Sequence, residues 1–413
     1  MMHIKKDHRR VLENFFSLSI LNVANYVFPI ILIPYLTRVL GVEKYGTYIY
    51  AYSIINYLTL FVQYGFEYSA TKKVSLIRDD HFLLEKIYSS IMLLRIGFNL
   101  LASILVIIAV FFIPFFSNEA ILYLSGLLLV WGQTIIPLWL YQGLEKMKFI
   151  TIVSFISRLL SVLCILLIVH KIEDYTKVLF LQGLGYVLGA IISIYIVNYN
   201  LKIKFRIPTK EMMWQELKDG WYLFLSTIGM NLYRDSNIII LGIVTNYSVV
   251  GIYAPAEKII KACQSITSPF VNAVYPYFSR KIYQNKSMDS YYKVGHLFST
   301  ILLFISLSVI IFSPIIIRSF LDETYLKSIL DIQVMSLVIL FGGMNFYYGI
   351  IGLVNMGYSK RFVVSVWKAG TLSLLLCAIL SSIWYDLGAA MSMLMSELLL
   401  LIFIRLELKR VST

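Results

Sequence analysis

The run FNLLASILVIIAVFFIPFF, from Phe98 to Phe116, carries no charged side chain in 19 residues. A helix rises ~1.5 Å per residue, so a run of this length crosses most of the roughly 30 Å hydrocarbon layer of a bilayer. LFSTILLFISLSVIIFSPIII, from Leu297 to Ile317, does so again. Neither alternates polar and apolar residues as a barrel strand would. Lipid leaves a crossing backbone only the helix or the closed barrel. The fold class read from these two runs is all-α, in a polytopic membrane protein.

The rest of the chain agrees. Hydrophobic residues make up 59% and charged residues 14%, where a soluble domain carries about 25% charge. That much apolar surface would aggregate in water. Reading outward from the two runs gives about twelve spans, at 15–37, 46–68, 87–115, 119–143, 149–170, 177–199, 221–244, 249–277, 294–317, 327–356, 362–384 and 386–405. The basic start, Met1 to Arg10, leads into an apolar stretch from Phe15 to Leu36. This is too long for a cleaved signal and is expected to remain as the first span.

The net charge of +13 does not imply nucleic acid, because it sits in short connections between spans. Twelve spans put both termini on one side. With that side cytoplasmic, 25 Lys and Arg fall in inside segments, 6 in outside segments and 5 within spans. This is the positive-inside bias, and it places both termini in the cytoplasm. No outside connection exceeds about ten residues, so a soluble catalytic domain has no room. Trp139, Trp214, Trp221, Trp367 and Trp384 fall at span ends, as interfacial rings do, with Trp131 near mid-span. Cys164, Cys263 and Cys377 lie in apolar runs, and their number and spacing give no disulfide or metal motif. The five histidines lie in tails, loops or span ends. No phosphate-binding loop, metal-ligand cluster or nucleophile–base set appears, so the reading assigns no catalytic residue, metal or cofactor.

The chain reads as duplicated. Gly46-Thr47-Tyr48-Ile49-Tyr50-Ala51 opens the second span and Gly251-Ile252-Tyr253-Ala254-Pro255-Ala256 the eighth, each after a Leu-Gly pair (Leu40-Gly41, Leu241-Gly242). Two six-helix lobes, 1–200 and 221–413 joined by a cytoplasmic linker at 201–220, would enclose a central cavity.

Charges deep in a span are costly and therefore candidate functional groups. There are eight: Arg95, Arg158, Arg234, Asp235, Glu257, Lys258, Lys261 and Glu397, a net +2. In the eighth span Ala254, Lys258, Lys261, Ser265, Ser268 and Asn272 recur at helical spacing as one polar stripe. The equivalent stripe on the second span is Ser53, Asn56, Gln63 and Glu67. For the neutral members, helix-to-helix hydrogen bonding explains the pattern as well as a cavity does. Two lysines a turn apart repel and need an anionic partner. Asp235 is the nearest candidate for an ion pair with one of them. Glu397 and Arg95 read equally as structural ion pairs or substrate contacts. Arg158 reads as a snorkelling residue at the inner headgroups. Pro29 and Pro34 bend the first span.

The basic start running into Asn22–Pro34, the Leu40-Gly41…Tyr45-Gly46…Tyr48 segment, and Ile239–Lys258 leading into Ser268-Pro269…Tyr275-Pro276 resemble the polysaccharide transporters of the multidrug/oligosaccharidyl-lipid/polysaccharide exporter superfamily. The nearest likeness is to the Wzx-type O-antigen flippases. That resemblance implies alternating access in a bacterial inner membrane. It also implies a polyprenyl-pyrophosphate-linked oligosaccharide carried from the cytoplasmic to the periplasmic leaflet, with membrane lipids and polysaccharide assembly proteins as partners and H+ or Na+ as a coupling ion. Substrate contacts then fall to Lys258, Lys261, Arg234, Arg95, Asn56 and Ser265, and ion coupling to Asp235, Glu257 and Glu397. A multidrug or cation antiporter of the same superfamily is the alternative, with a polysaccharide polymerase behind it.

Overall fold

The structure is a computed structural model and describes residues 2–271, 274, 275, 278 and 289–412. Of residues 2–20, 22, 23, 26, 289 and 412 it describes the backbone alone. Helices cover almost all of the described residues, and no strand occurs among them. Among the described residues, seven helical segments are long and apolar enough to cross a membrane: His81–Phe112, Ala120–Gly143, Met147–Ile168, Ile172–Asn200, Ser290–Phe320, Ser328–Val354 and Ser359–Val411. The last is two legs, because Trp384 (φ −119°) and Tyr385 (φ 52°) leave the helical region. Met2–Gln63 is likewise two legs, folded at Gly41 (φ 68°), a conformation that needs a residue without a Cβ. Lys210–Asp235 with Asn237–Val244, and Tyr247–Gln264, complete twelve legs among the described residues. These carry Arg234, Asp235, Glu257, Lys258 and Lys261, which is why their apolar signal is weaker. The protein is an all-α, multi-pass membrane protein.

Several elements depart from the sequence reading. The connection expected over 69–86 begins with a helix, Phe66–Ile77, which buries Phe66, Ser69, Ala70 and Val74. The second span ends at Gln63, where Tyr64 (φ 44°) and Gly65 (φ 72°) break the chain. Residues expected in a linker to 220 are helical from Lys210 onward. The fourth span is interrupted between Ala120–Ile135 and Leu138–Gly143, because Pro137 has no N–H to continue the ladder. Ile196–Asn200 and Tyr347–Val354 are π-helical.

The chain forms two compact units. One holds Met1–Leu40 and Ala51–Ile228, the other Gly41–Tyr50 and Gly229–Thr413. The legs at 42–63 and 210–235 therefore each contribute to both. In the first unit the core gathers Ile91, Trp139, Leu140, Tyr141 and Val153. Trp139 is fully buried there, not interfacial as expected, whereas Trp214, Trp221 and Trp384 are exposed. Small residues let helices approach closely, as at Gly185 and Gly189 against Ser157 and Ser161. Arg158 does not snorkel: its guanidinium donates to Asn25 Oδ1 on the first leg. The loop after 200 is tied to this unit. The backbone N–H of Arg206 donates to Ser89 Oγ (2.8 Å), and its side chain pairs with Glu85. Lys73 bridges Glu216 (2.7 Å) and Asp219 (2.6 Å).

In the second unit the two Gly-Xaa-Tyr helix starts meet. A Cβ at Gly46 would collide with the Tyr247 carbonyl oxygen, and one at Gly251 with that of Val42. The matched segments thus cross backbone to backbone.

Candidate functional site

The second unit gathers the candidate charges. Helix Lys210–Asp235 ends in Arg234 and Asp235, and the chain turns at Ser236 before Asn237–Val244. Tyr247–Gln264 is capped by Asn246, whose side chain accepts from the Val249 N–H (3.1 Å). Its Glu257, Lys258 and Lys261 lie one turn or less apart. Lys261 Nζ stands 2.7 Å from Asp235 Oδ1 and 3.1 Å from Glu257 Oε1. One cation is thereby held between carboxylates of two helices. Glu257 is buried at 1% exposure, while the Asp235 and Lys261 side chains keep 48% and 31% of theirs. The network therefore has a sealed end and an open end.

Lys258 lies in the field of both Glu257 and Lys261. It sits ~17 Å along the helix from Tyr247 at 1.5 Å per residue. Arg234 is exposed and lies in the field of both Asp235 and Glu397. Glu397, on the leg after Tyr385, is 6% exposed. It accepts from Asn345 Nδ2 (2.6 Å) and Gln264 Nε2 (3.5 Å). Arg234, Asp235, Glu257, Lys258, Lys261 and Glu397 thus form one neighbourhood of three cations and three anions, on three legs of one unit.

The other named residues make different contacts. Ser265 caps its own helix, donating to the Ala262 carbonyl (2.6 Å). The helix ends there, so the stripe from Ala254 does not continue unbroken to Ser268, and Asn272 lies outside the described residues. Asn56 is half-buried in the first unit. Arg95, also in that unit and 1% exposed, donates to the carbonyls of Gln133 (2.9 Å) and Ile136 (3.3 Å). These are the end carbonyls freed where Pro137 interrupts the helix, and Arg95 caps them. Glu67 Oε1 lies 4.0 Å from the same guanidinium.

A family model described as "Polysaccharide biosynthesis protein" matches residues 11–282. The chain belongs to the polysaccharide biosynthesis protein family. Two relatives named "Putative O-antigen transporter" extend this. The Escherichia coli (strain K12) protein is 27% identical over 406 residues, covering 95% of this chain and 96% of that one. The Shigella dysenteriae protein is 28% identical over 319 residues, covering 76% and 78%. Among solved structures the fold is similar to that of the lipid II flippase MurJ in an inward closed conformation (TM-score 0.72, 15% identity, 97% of this chain and 87% of that one). It is also similar to an inward-facing multidrug transporter of the MATE family (TM-score 0.66, 11% identity, 96% and 99%).

The sequence reading of this family member missed three acidic groups. Glu67 was read as a stripe member, not as the partner of Arg95. Asp331, 1% exposed, and Asp386 fall at span ends, where a carboxylate raises no alarm. Adding Glu67 and Asp331 to the eight in-span charges removes their positive excess. What remains is local: lysines and arginine facing carboxylates in one place. Among the described residues no group of three or more His, Cys, Asp or Glu could hold a metal ion.

Proposed function

We propose that the protein is a flippase for a polyprenyl-pyrophosphate-linked oligosaccharide, moving it from the cytoplasmic to the periplasmic leaflet of a bacterial inner membrane by alternating access of two six-helix lobes, with both termini cytoplasmic. The observation that carries this is the cluster in which Lys261 is shared by Asp235 and Glu257, with Lys258 and Arg234 beside it. Cations bind phosphate oxygens through charge-assisted hydrogen bonds. In a site of low dielectric that attraction exceeds its value in water. The carboxylates hold the cations while no phosphate is present. A pyrophosphate entering the cluster replaces them, and the released carboxylates can accept H+ or Na+. Binding of substrate and of coupling ion would then be linked through one set of side chains. Full-length similarity to proteins named for O-antigen transport and a MurJ-like fold support the same reading. A multidrug antiporter would draw on the same fold. Lys258 and Arg234 in the cluster favour an anionic cargo over a cationic one.

Lys258→Ala combined with Lys261→Ala is expected to abolish surface polysaccharide in a deletion strain, while membrane insertion and monodisperse elution of the purified protein persist. Wild-type polysaccharide from the double variant would overturn the cationic site. Unchanged polysaccharide after deletion of the chain, with altered drug resistance, would favour the antiporter.

A further inference from the structure

In the second unit a groove of about 550 Å³ lies between the two legs of Ser359–Ser412. That is within the ~300–1,000 Å³ of ordinary ligand sites. Val364, Trp367, Lys368, Thr371 and Leu372 line it from the first leg and Phe403 from the second. The five on the first leg recur at helical spacing and make one face of that helix. Thr371 uses its hydroxyl on its own helix, donating to the Trp367 carbonyl (3.0 Å). The charged group left on this face is the exposed Lys368 ammonium. One end of the groove is tied across. Arg361 Nη1 pairs with Glu407 Oε2 (3.2 Å) between the two legs, about a turn before Val364 and a turn after Phe403. That guanidinium is neutralised, while the groove supplies no counterion for Lys368.

A lysine ~14 Å from Ser359 along an apolar leg is costly unless its ammonium reaches an anion or the headgroups. Helical side chains lean toward the helix N-terminus, so this ammonium leans toward the Ser359 end. The register of the leg ties the groove to the lysine cluster. A Cβ at Gly229 would meet the Trp367 ring at 2.5 Å, and one at Gly370 would lie 3.4 Å from the Tyr233 Cβ. The contacts advance together, Trp367 with Gly229 and Gly370 with Tyr233, so this leg runs parallel to the helix Lys210–Asp235. The Trp367 ring thus both lines the groove and packs on the helix that ends in Arg234 and Asp235. Lys368 stands about a turn before Arg234, on the side that the proposed topology gives to the cytoplasm.

We propose that this groove is a docking site for a polyprenyl phosphate, with the isoprenoid tail against Trp367, Leu372 and Phe403 and the phosphate on Lys368. An apolar wall takes the tail, and a basic residue between spans takes a lipid headgroup through charge-assisted hydrogen bonds. From there the phosphate has about one helical turn to travel to reach Arg234 and the Lys261 cluster. The groove is then the entry station of the cargo, and it keeps the tail outside the polar site while the head moves on. That onward step rests on the flippase reading; the docking of the lipid does not. An ordinary anionic phospholipid offers Lys368 the same phosphate without the isoprenoid tail, and is the competitor in the test.

The purified full chain in phosphatidylcholine nanodiscs is irradiated with a long-chain polyprenyl phosphate carrying a photoreactive group in its tail. The label is expected on residues 364–372 and on Phe403, and an excess of phosphatidylglycerol should not displace it. Lys368→Ala should weaken binding roughly tenfold or more, the loss that goes with one charge-assisted hydrogen bond. Leu372→Trp, which fills the groove and keeps the lysine, should also weaken it. Both positions are exposed, so monodisperse elution should persist, and if one variant aggregates the other decides. No label, a label elsewhere, or binding unchanged in the folded variants would overturn the groove as the site. Displacement by phosphatidylglycerol in proportion to its excess would make it a site for bulk phospholipid and overturn the proposal. If deletion of the chain leaves surface polysaccharide unchanged, the flippase reading fails while the label and its loss in the variants still decide the groove.

Discussion

Arg95 shows what a single residue can and cannot reveal before it is placed. A guanidinium eight residues into an apolar run is expensive in lipid and must have partners. Its partners were not legible, because two are backbone carbonyls of a helix broken 42 positions on, at Pro137, and the third is Glu67, beyond the turn at Tyr64 and Gly65. Only Arg presents a planar fork that reaches two carbonyls at once. Arg95→Lys should therefore keep the charge near Glu67 and still lower the melting temperature of the purified protein. Arg95→Ala should lower it further, since it also removes the cation beside the half-buried Glu67. A lysine variant that melts with the wild type would remove the capping role. Glu257, Lys261 and Asp235 were legible for the opposite reason. Glu257 and Lys261 are four residues apart on one helix, where helical geometry alone brings them together, and Asp235 on the preceding leg is the carboxylate nearest in sequence to pair with a lysine of that helix.

At the scale of elements, the twelve legs were readable from apolar length, but the breaks within them were not. Hydropathy is blind to Pro137 and to Gly65, since both lie in apolar surroundings, and to Trp384–Tyr385, where the chain reverses almost without a loop. It also merged the amphipathic Phe66–Ile77 helix into a connection, because four buried residues in twelve give no apolar run. The paired helix starts meet in space. Their resemblance in sequence corresponds to a physical contact, with Gly46 against Tyr247 and Gly251 against Val42. Any Cβ there drives the two helices apart. Gly46→Leu is expected to reduce the yield of folded protein and its melting temperature sharply. Gly97→Leu, where a Cβ meets nothing within 4 Å, should be neutral or slightly stabilising, because Leu is the better helix former. Equal effects of the two substitutions would show that the crossing is not tight.

For the whole molecule, orientation rests on parity. Each leg reverses the side on which the next connection emerges, so a leg too many or too few would exchange inside for outside in everything after it. The 25-to-6 distribution of Lys and Arg is sensitive to that error, because shifting the alternation by one leg at any interior point mixes the rich and poor segments. The structure keeps the parity while moving boundaries. The two legs of Met2–Gln63 and the two of Ser359–Ser412 are each counted once, and the interrupted helices at 136–137 and 236 remain single crossings. Phe66–Ile77 is too short to cross, at twelve residues and ~18 Å, and it carries Lys72 and Lys73, the latter tied to Glu216 and Asp219 of the 210–235 helix. That tie places two segments rich in basic residues on the same face, independently of any count. After replacement of Cys164, Cys263 and Cys377, single cysteines at the exposed positions Asn118 and Glu173 should react with a membrane-impermeant maleimide in intact spheroplasts. Cysteines at the exposed positions Asp79 and Ser359 should react only after permeabilisation. Labelling of Asp79→Cys from outside would invert the first unit, and labelling of Ser359→Cys alone would mean a miscounted leg between them.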